Sequence, residues 1–121
     1  MSKILVIEDT PESAQLAERV LGQQDYDVLI AATGKEGLEI TRDQKPDVIL
    51  LDLGLPDVGA EAMAQQLCIA CQDEDTPIIV VSAWPEHTVR QITEAFCFKE
   101  YIIKPYNVDT FVERVNAYIP T

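Results

Sequence analysis

Positive charge is scarce in this chain. Nine Lys and Arg stand against 21 Asp and Glu, a formal net charge of −12. Direct nucleic-acid binding needs a basic footprint for phosphate contacts, so it is not expected. No apolar run approaches the roughly 20 residues that cross a bilayer. No charged and apolar leader precedes the first strand. We therefore expect no membrane insertion and a cytoplasmic location. Cysteine is limited to Cys68, Cys71 and Cys97. An odd trio does not make a disulfide framework and suits a reducing compartment. Cys68-Ile-Ala-Cys71 matches C-x-x-C, but it lies late in a helical stretch, away from the N-terminus that would acidify a thiol. It has no second pair for zinc. Packing is the expected role. The single histidine, His87, has no acidic orienter nearby and reads as solvated surface. No glycine-rich loop follows the first strand, where Thr10-Pro11 stands instead, which argues against a flavin or nucleotide cradle.

What is present is an ordinary globular mix. Apolar residues make up 47% and charged residues 25% of 121 positions, enough for one domain spanning 1–121. Short unbroken apolar runs alternate with helical stretches, the pattern of a parallel sheet covered on both faces. Strands are predicted over Lys3–Ile7, Asp27–Ala32, Asp47–Leu51, Pro77–Val81 and Glu100–Ile103. The first helix runs from Thr10-Pro11 to about Gln23, with Thr10 as N-cap and Ala14, Ala17, Val20 and Leu21 facing inward. Thr33 and Glu36 fit a capping box opening the second helix, which Pro46 ends. The third follows the Leu53–Gly59 loop and runs to about Cys71; the fourth covers Glu86–Phe96. Asn107 caps the last, whose stripe is Phe111, Val112, Val115 and Ile119.

The strand endings carry chemistry. Lys3–Ile7 runs into Glu8-Asp9, Val48–Leu51 into Asp52, Pro77–Val81 into Ser82, and Tyr101–Ile103 into Lys104-Pro105. In open α/β sheets ligands bind beyond the carboxyl ends of the strands, so these endings should meet at one edge. Hard cations such as Mg²⁺ take carboxylate, water and phosphate oxygens, and Glu8, Asp9 and Asp52 can supply carboxylates. A carboxylate can accept a phosphoryl group covalently, provided a cation screens its repulsion from the incoming anion. Lys104 can meet the transferred oxygens as a point charge, and Ser82 adds a hydroxyl.

These residues, in this order, resemble the receiver domains of two-component response regulators along the whole chain. The resemblance rests on Glu8-Asp9, Asp52 in Ile49-Leu-Leu-Asp-Leu53, Pro56, Ser82-Ala83, and Tyr101 followed by Lys104-Pro105. It implies a flavodoxin-like, doubly wound parallel sheet of strand order 2-1-3-4-5 with five helices, as in single-domain chemotaxis receivers. Asp52 would be the phosphoacceptor. Glu8, Asp9, Asp52 and the backbone carbonyl of Gly54 would hold Mg²⁺. Ser82, Ala83 and Lys104 would bind the phosphoryl oxygens, Ser82 and Tyr101 would form the switch, and Lys104–Pro105 would be cis. On the residues alone, Tyr101 is as suited to packing as to switching. A sensor histidine kinase or histidine phosphotransfer protein would lie upstream and an undetermined protein target downstream, with room for a homodimer. Output would leave through the face of helix four, strand five and helix five, including Arg90, Glu94, Glu100 and Tyr106. Such a protein turns over no external substrate and catalyses only its own phosphorylation and dephosphorylation.

Three departures from the family pattern stand out. Gly59 follows Asp52 by seven residues, one short of the usual spacing, so the loop between them is expected to be reshaped. Cys97 occupies the place of a helix-ending glycine, so helix four should end differently and Phe96-Cys97-Phe98 should make an unusual apolar surface. Gly54 and Trp84 stand two residues beyond Asp52 and Ser82, positions that tune water access, and Trp84 is expected to cover part of the pocket. Two alternatives compete. One is a degenerate receiver acting as a phosphorylation-independent binding module, against which the intact residue set argues. The other is a Mg²⁺-dependent aspartyl-phosphate phosphatase, which needs a second Asp two residues beyond the first, where Pro11 stands.

Overall fold

The computed structural model describes residues 1–120. Strands β1 (Lys3–Ile7), β2 (Asp27–Ala31), β3 (Val48–Leu51), β4 (Ile78–Ser82) and β5 (Glu100–Ile103) form one sheet. The order is β2-β1-β3-β4-β5, and every pair is parallel. Helices α1 (Pro11–Gly22), α2 (Gly34–Gln44), α3 (Ala60–Cys71), α4 (Glu86–Ala95) and α5 (Val108–Asn116) fill the crossovers and the end. The doubly wound sheet expected from the sequence is what forms.

The strands sort their side chains by the two-residue period of a pleat. Ile4, Val6, Val48, Leu50, Ile79 and Val81 pack with Ala17, Val20 and Leu21 of α1 and Phe111 and Val115 of α5. Leu5, Ile7, Ile49, Leu51, Ile78 and Val80 face the other way, against Leu38 of α2, Met63, Ala64 and Leu67 of α3, and Val89 of α4. β3 and β4 are buried at every residue, as unbroken apolar runs between two helical layers must be. Helix α2 lies so close to β1 that a Cβ on Gly37 would meet the Ile7 side chain at 2.6 Å.

Element ends differ from expectation by a residue or so. β2 stops at Ala31, β3 starts at Val48, and β4 takes in Ser82, the last residue to pair with β5. Thr33 caps α2 by accepting the Glu36 N–H (3.1 Å), and Glu36 reaches back to the Ala32 N–H (3.2 Å), one residue before the usual box partner. Asn107 caps α5 by accepting the Thr110 N–H (3.0 Å). Thr10 occupies the N-cap of α1, but its hydroxyl caps nothing. Its own N–H donates to the Glu8 carboxylate instead (3.2 Å).

The cysteines correct the sequence reading. Cys71 is buried and free, as packing requires, but Cys68 and Cys97 form a disulfide with their Cα atoms 5.8 Å apart. The cause is tertiary. Helix α4 ends in an extended Phe96 (φ −124°, ψ −167°), not in a left-handed cap, and the chain then carries Cys97 onto the end of α3.

Candidate functional site: an acidic pocket at the carboxyl edge of the sheet

Three backbone hydrogen bonds carry the sheet ladder one residue past its strands. Glu8 N–H donates to Ala31 O (2.9 Å), Asp52 N–H to Ile7 O (3.0 Å) and Lys104 N–H to Ser82 O (2.9 Å). The three side chains that leave these positions therefore start from a fixed row along the carboxyl ends of β1, β3 and β5. Glu8, Asp9 and Asp52 each bring a carboxylate oxygen within 4.8 Å of the others. The Lys104 ammonium donates to Glu8 and lies 3.3 Å from Asp52 Oδ2. Glu8 is 5% exposed, and the side chains of Lys104 and Asp52 are 17% and 14% exposed. These charges sit in a low-dielectric recess where they act strongly on one another.

Burial first, and then the neighbouring Asp52, push the Glu8 carboxyl up to about 7 against the opposing pull of Lys104. Three carboxylates facing one ammonium are a hard-oxygen donor set with negative charge in excess, which suits a small divalent cation. The residues present thus fit Mg²⁺.

The loop after Asp52 turns back at once, with Gly54 N–H donating to Asp52 Oδ1 (3.2 Å). Across from it stands Trp84, 37% exposed, whose indole nitrogen would lie 3.4 Å from a Cβ on Gly54. An indole therefore roofs the glycine beside the acidic cluster. Ser82 is fully buried, and its hydroxyl accepts the backbone N–H of Trp84 (3.1 Å). Exposed Ala83 lines a shallow crevice with Ser13, Leu16, Lys104, Pro105 and Tyr106. The Lys104–Pro105 peptide is cis. His87 is exposed.

Tyr101 points its hydroxyl at α4, donating to Glu86 (3.0 Å) and accepting from Arg90 Nε (3.3 Å). Beside it a mixed-charge groove is lined by Glu94, Lys99, Glu100, Glu113 and Arg114. Tyr106, expected on the surface of α4, β5 and α5, lies at its α5 side and not beside Tyr101. Its ring stacks on Phe111 of α5 (centroids 4.2 Å apart, planes at 11°), because the turn after Pro105 leads the chain back over the α1–α5 layer.

Two features escaped the sequence reading. Asp57 accepts the N–H groups of Gly34 (2.8 Å) and Lys35 (3.0 Å), pinning the loop after Asp52 to the start of α2. Glu86 holds Tyr101. Both partnerships join residues well apart in the chain, so no local pattern announces them.

Comparison with known proteins agrees with this geometry. The family model described as the response regulator receiver domain matches residues 4–116. Response regulator ArlR of Staphylococcus saprophyticus is 33% identical over 97% of this chain and 52% of its own length. Protein PilH of Pseudomonas aeruginosa is 26% identical, with 97% of each chain covered. The chain thus spans about half of ArlR and nearly all of PilH. Among solved structures, chemotaxis protein CheY4 of Vibrio cholerae superposes with a TM-score of 0.88 at 24% identity, covering 98% of this chain and 99% of its own. With its acidic pocket, its strand order and a family match over almost its entire length, this chain belongs to the response regulator receiver domains.

Proposed function

We propose that this chain is a phosphoryl-accepting switch in which Asp52 takes the phosphoryl group. The observation that supports this most directly is the Lys104 ammonium 3.3 Å from Asp52 Oδ2, beside two further carboxylates. In the reaction, an Asp52 oxygen forms a bond to phosphorus as the phosphorus–nitrogen bond of a phosphohistidine breaks. Glu8, Asp9, Asp52 and the Gly54 carbonyl would hold Mg²⁺, which supplies charge neutralisation when bound. Lys104, now shared with Glu8, would turn to the new phosphoryl oxygens, with Ser82 and the Ala83 backbone as further donors. Trp84 would restrict water's approach to the acyl phosphate. Tyr101 would leave Glu86 and Arg90 and turn inward as Ser82 moves, shifting the population between two forms of the α4–β5–α5 face.

The donor would be a histidine kinase or histidine phosphotransfer protein in the cytoplasm, and the receiver of the message a protein docking on that face. Residues 1–121 would act as one receiver unit with no external substrate to turn over. Acetyl phosphate with Mg²⁺ should add one phosphoryl mass to the chain and change Trp84 fluorescence, and Asp52→Asn should remove both effects. A wild-type chain that gains no mass and gives no signal with Mg²⁺ and beryllofluoride would leave a binding module as the better account.

A further inference from the structure

Helix α4 is weakly anchored. It buries Val89 and Thr93 only, as few residues as α5 does, whereas α1, α2 and α3 bury four each. Its start follows directly on Ser82-Ala83-Trp84-Pro85, so only three residues separate the pocket's hydroxyl from the helix. Two ties hold it. Near the start, Glu86 and Arg90 grip the Tyr101 hydroxyl. Past the end, where no left-handed cap forms, Cys97 is joined to Cys68 of α3, and its N–H donates to the Cys68 sulfur (3.2 Å).

The second tie is chemically switchable. Cys97 is exposed and Cys68 half-buried, so a small thiolate can reach the bond. Cys71, one turn from Cys68, is buried with its thiol pushed up to about 11, which keeps it protonated and out of exchange. In the reducing cytoplasm proposed above, a disulfide is a transient regulatory device, not a permanent staple.

We propose that Cys68 and Cys97 are a reversible redox site that sets the freedom of α4 and so couples thiol status to the phosphoryl switch; this rests on the receiver reading. The oxidant is a low-molecular-weight disulfide. The Cys97 thiolate attacks one of its sulfurs and expels one small thiol. The Cys68 thiolate then attacks the Cys97 sulfur and expels the second. The two protein protons end on the two released thiols, and the protein loses two electrons to the broken small-molecule bond. If phosphorylation needs α4 to move, the bridge opposes it, and by linkage phosphorylation favours the dithiol form.

The test uses the whole chain in each redox state. After oxidised glutathione, denaturation and iodoacetamide should label one cysteine, and after dithiothreitol three. Beryllofluoride with Mg²⁺ is then titrated into both forms, read by Trp84 fluorescence and by thermal shift. The bridged form is expected to bind about fivefold or more weakly. Cys97→Ser should bind equally with and without dithiothreitol, and Cys71→Ser should keep the difference. Equal affinities for the two wild-type forms, or a pair that glutathione disulfide never joins, overturn the proposal and leave the receiver reading standing. No response from the reduced wild type overturns the phosphoacceptor reading on which the proposal rests. The wild-type comparison needs no substituted chain to fold.

Discussion

Lys104 stands between two acids, Glu8 and Asp52. Its ammonium offsets their mutual repulsion, yet burial still pushes Glu8 up to about 7 from an ordinary 4.5. The folded chain holds a proton that the unfolded chain releases between those values. Without metal, Glu8 therefore weakens the fold as pH rises from about 4.5 to about 7 and costs nothing below that window. Asp57 has the opposite sign. The Gly34 and Lys35 N–H groups hold it below its ordinary 3.8, so its contribution is present above 3.8 and lost as pH falls through the lower folded value. Urea unfolding in chelator should show stability cresting between these two windows, and Glu8→Gln should flatten the decline toward neutrality. An unchanged slope in Glu8→Gln would refute the assignment.

At the same scale, Trp84 roofs Gly54 at the pocket's edge. Trp84→Ala should shorten the lifetime of the phosphorylated chain several-fold, on the order of 1 kcal/mol of barrier, by admitting water. Decay of the acyl phosphate in radiolabelled protein measures this, and an unchanged lifetime would exclude the roof.

Elements are positioned by close approach as well as by apolar stripes. Gly37 lets α2 settle on Ile7, the last residue of β1 and the one whose carbonyl receives the Asp52 N–H. Gly37→Ala adds a methyl 2.6 Å from Ile7 Cδ1. Overpacking of that kind costs about 1–3 kcal/mol and exceeds the gain of about 1 kcal/mol in helix propensity. A lower urea midpoint is expected, with Mg²⁺ affinity reduced if the shift reaches Asp52. The strands, most helix ends and the inward face of α1 were legible in the sequence because period and capping are local. The Asp57 clamp and the Cys68–Cys97 bond were not, because each joins segments that only the finished fold brings together. That the Tyr106 ring would stack on Phe111 was hidden for the same reason: nothing in its own neighbourhood says which way the turn will carry it.

For the molecule as a whole, a net charge of −12 makes the compact state repel itself. Monovalent salt should raise the melting temperature modestly by screening. Mg²⁺ should add a separate, saturable increment of about 2.7 kcal/mol at one hundred times its Kd. In Asp9→Asn the saturable part should shrink sharply while the salt response persists, which calorimetry at matched ionic strength can separate. The site's principal acids and lysine were legible because a parallel sheet brings all its carboxyl ends to one rim. What the sequence alone could not give was their electrostatic state: Glu8 owes its proton affinity to burial, and Lys104 serves two partners at once.

Because Glu8, Asp52 and Lys104 each hang from a peptide already bonded to the next strand, the pocket is as stiff as the sheet. Chemistry at this rim cannot be accommodated by letting its own walls yield. Under the proposed phosphoryl switch, backbone motion would instead pass sideways, into the helix that begins just past Trp84.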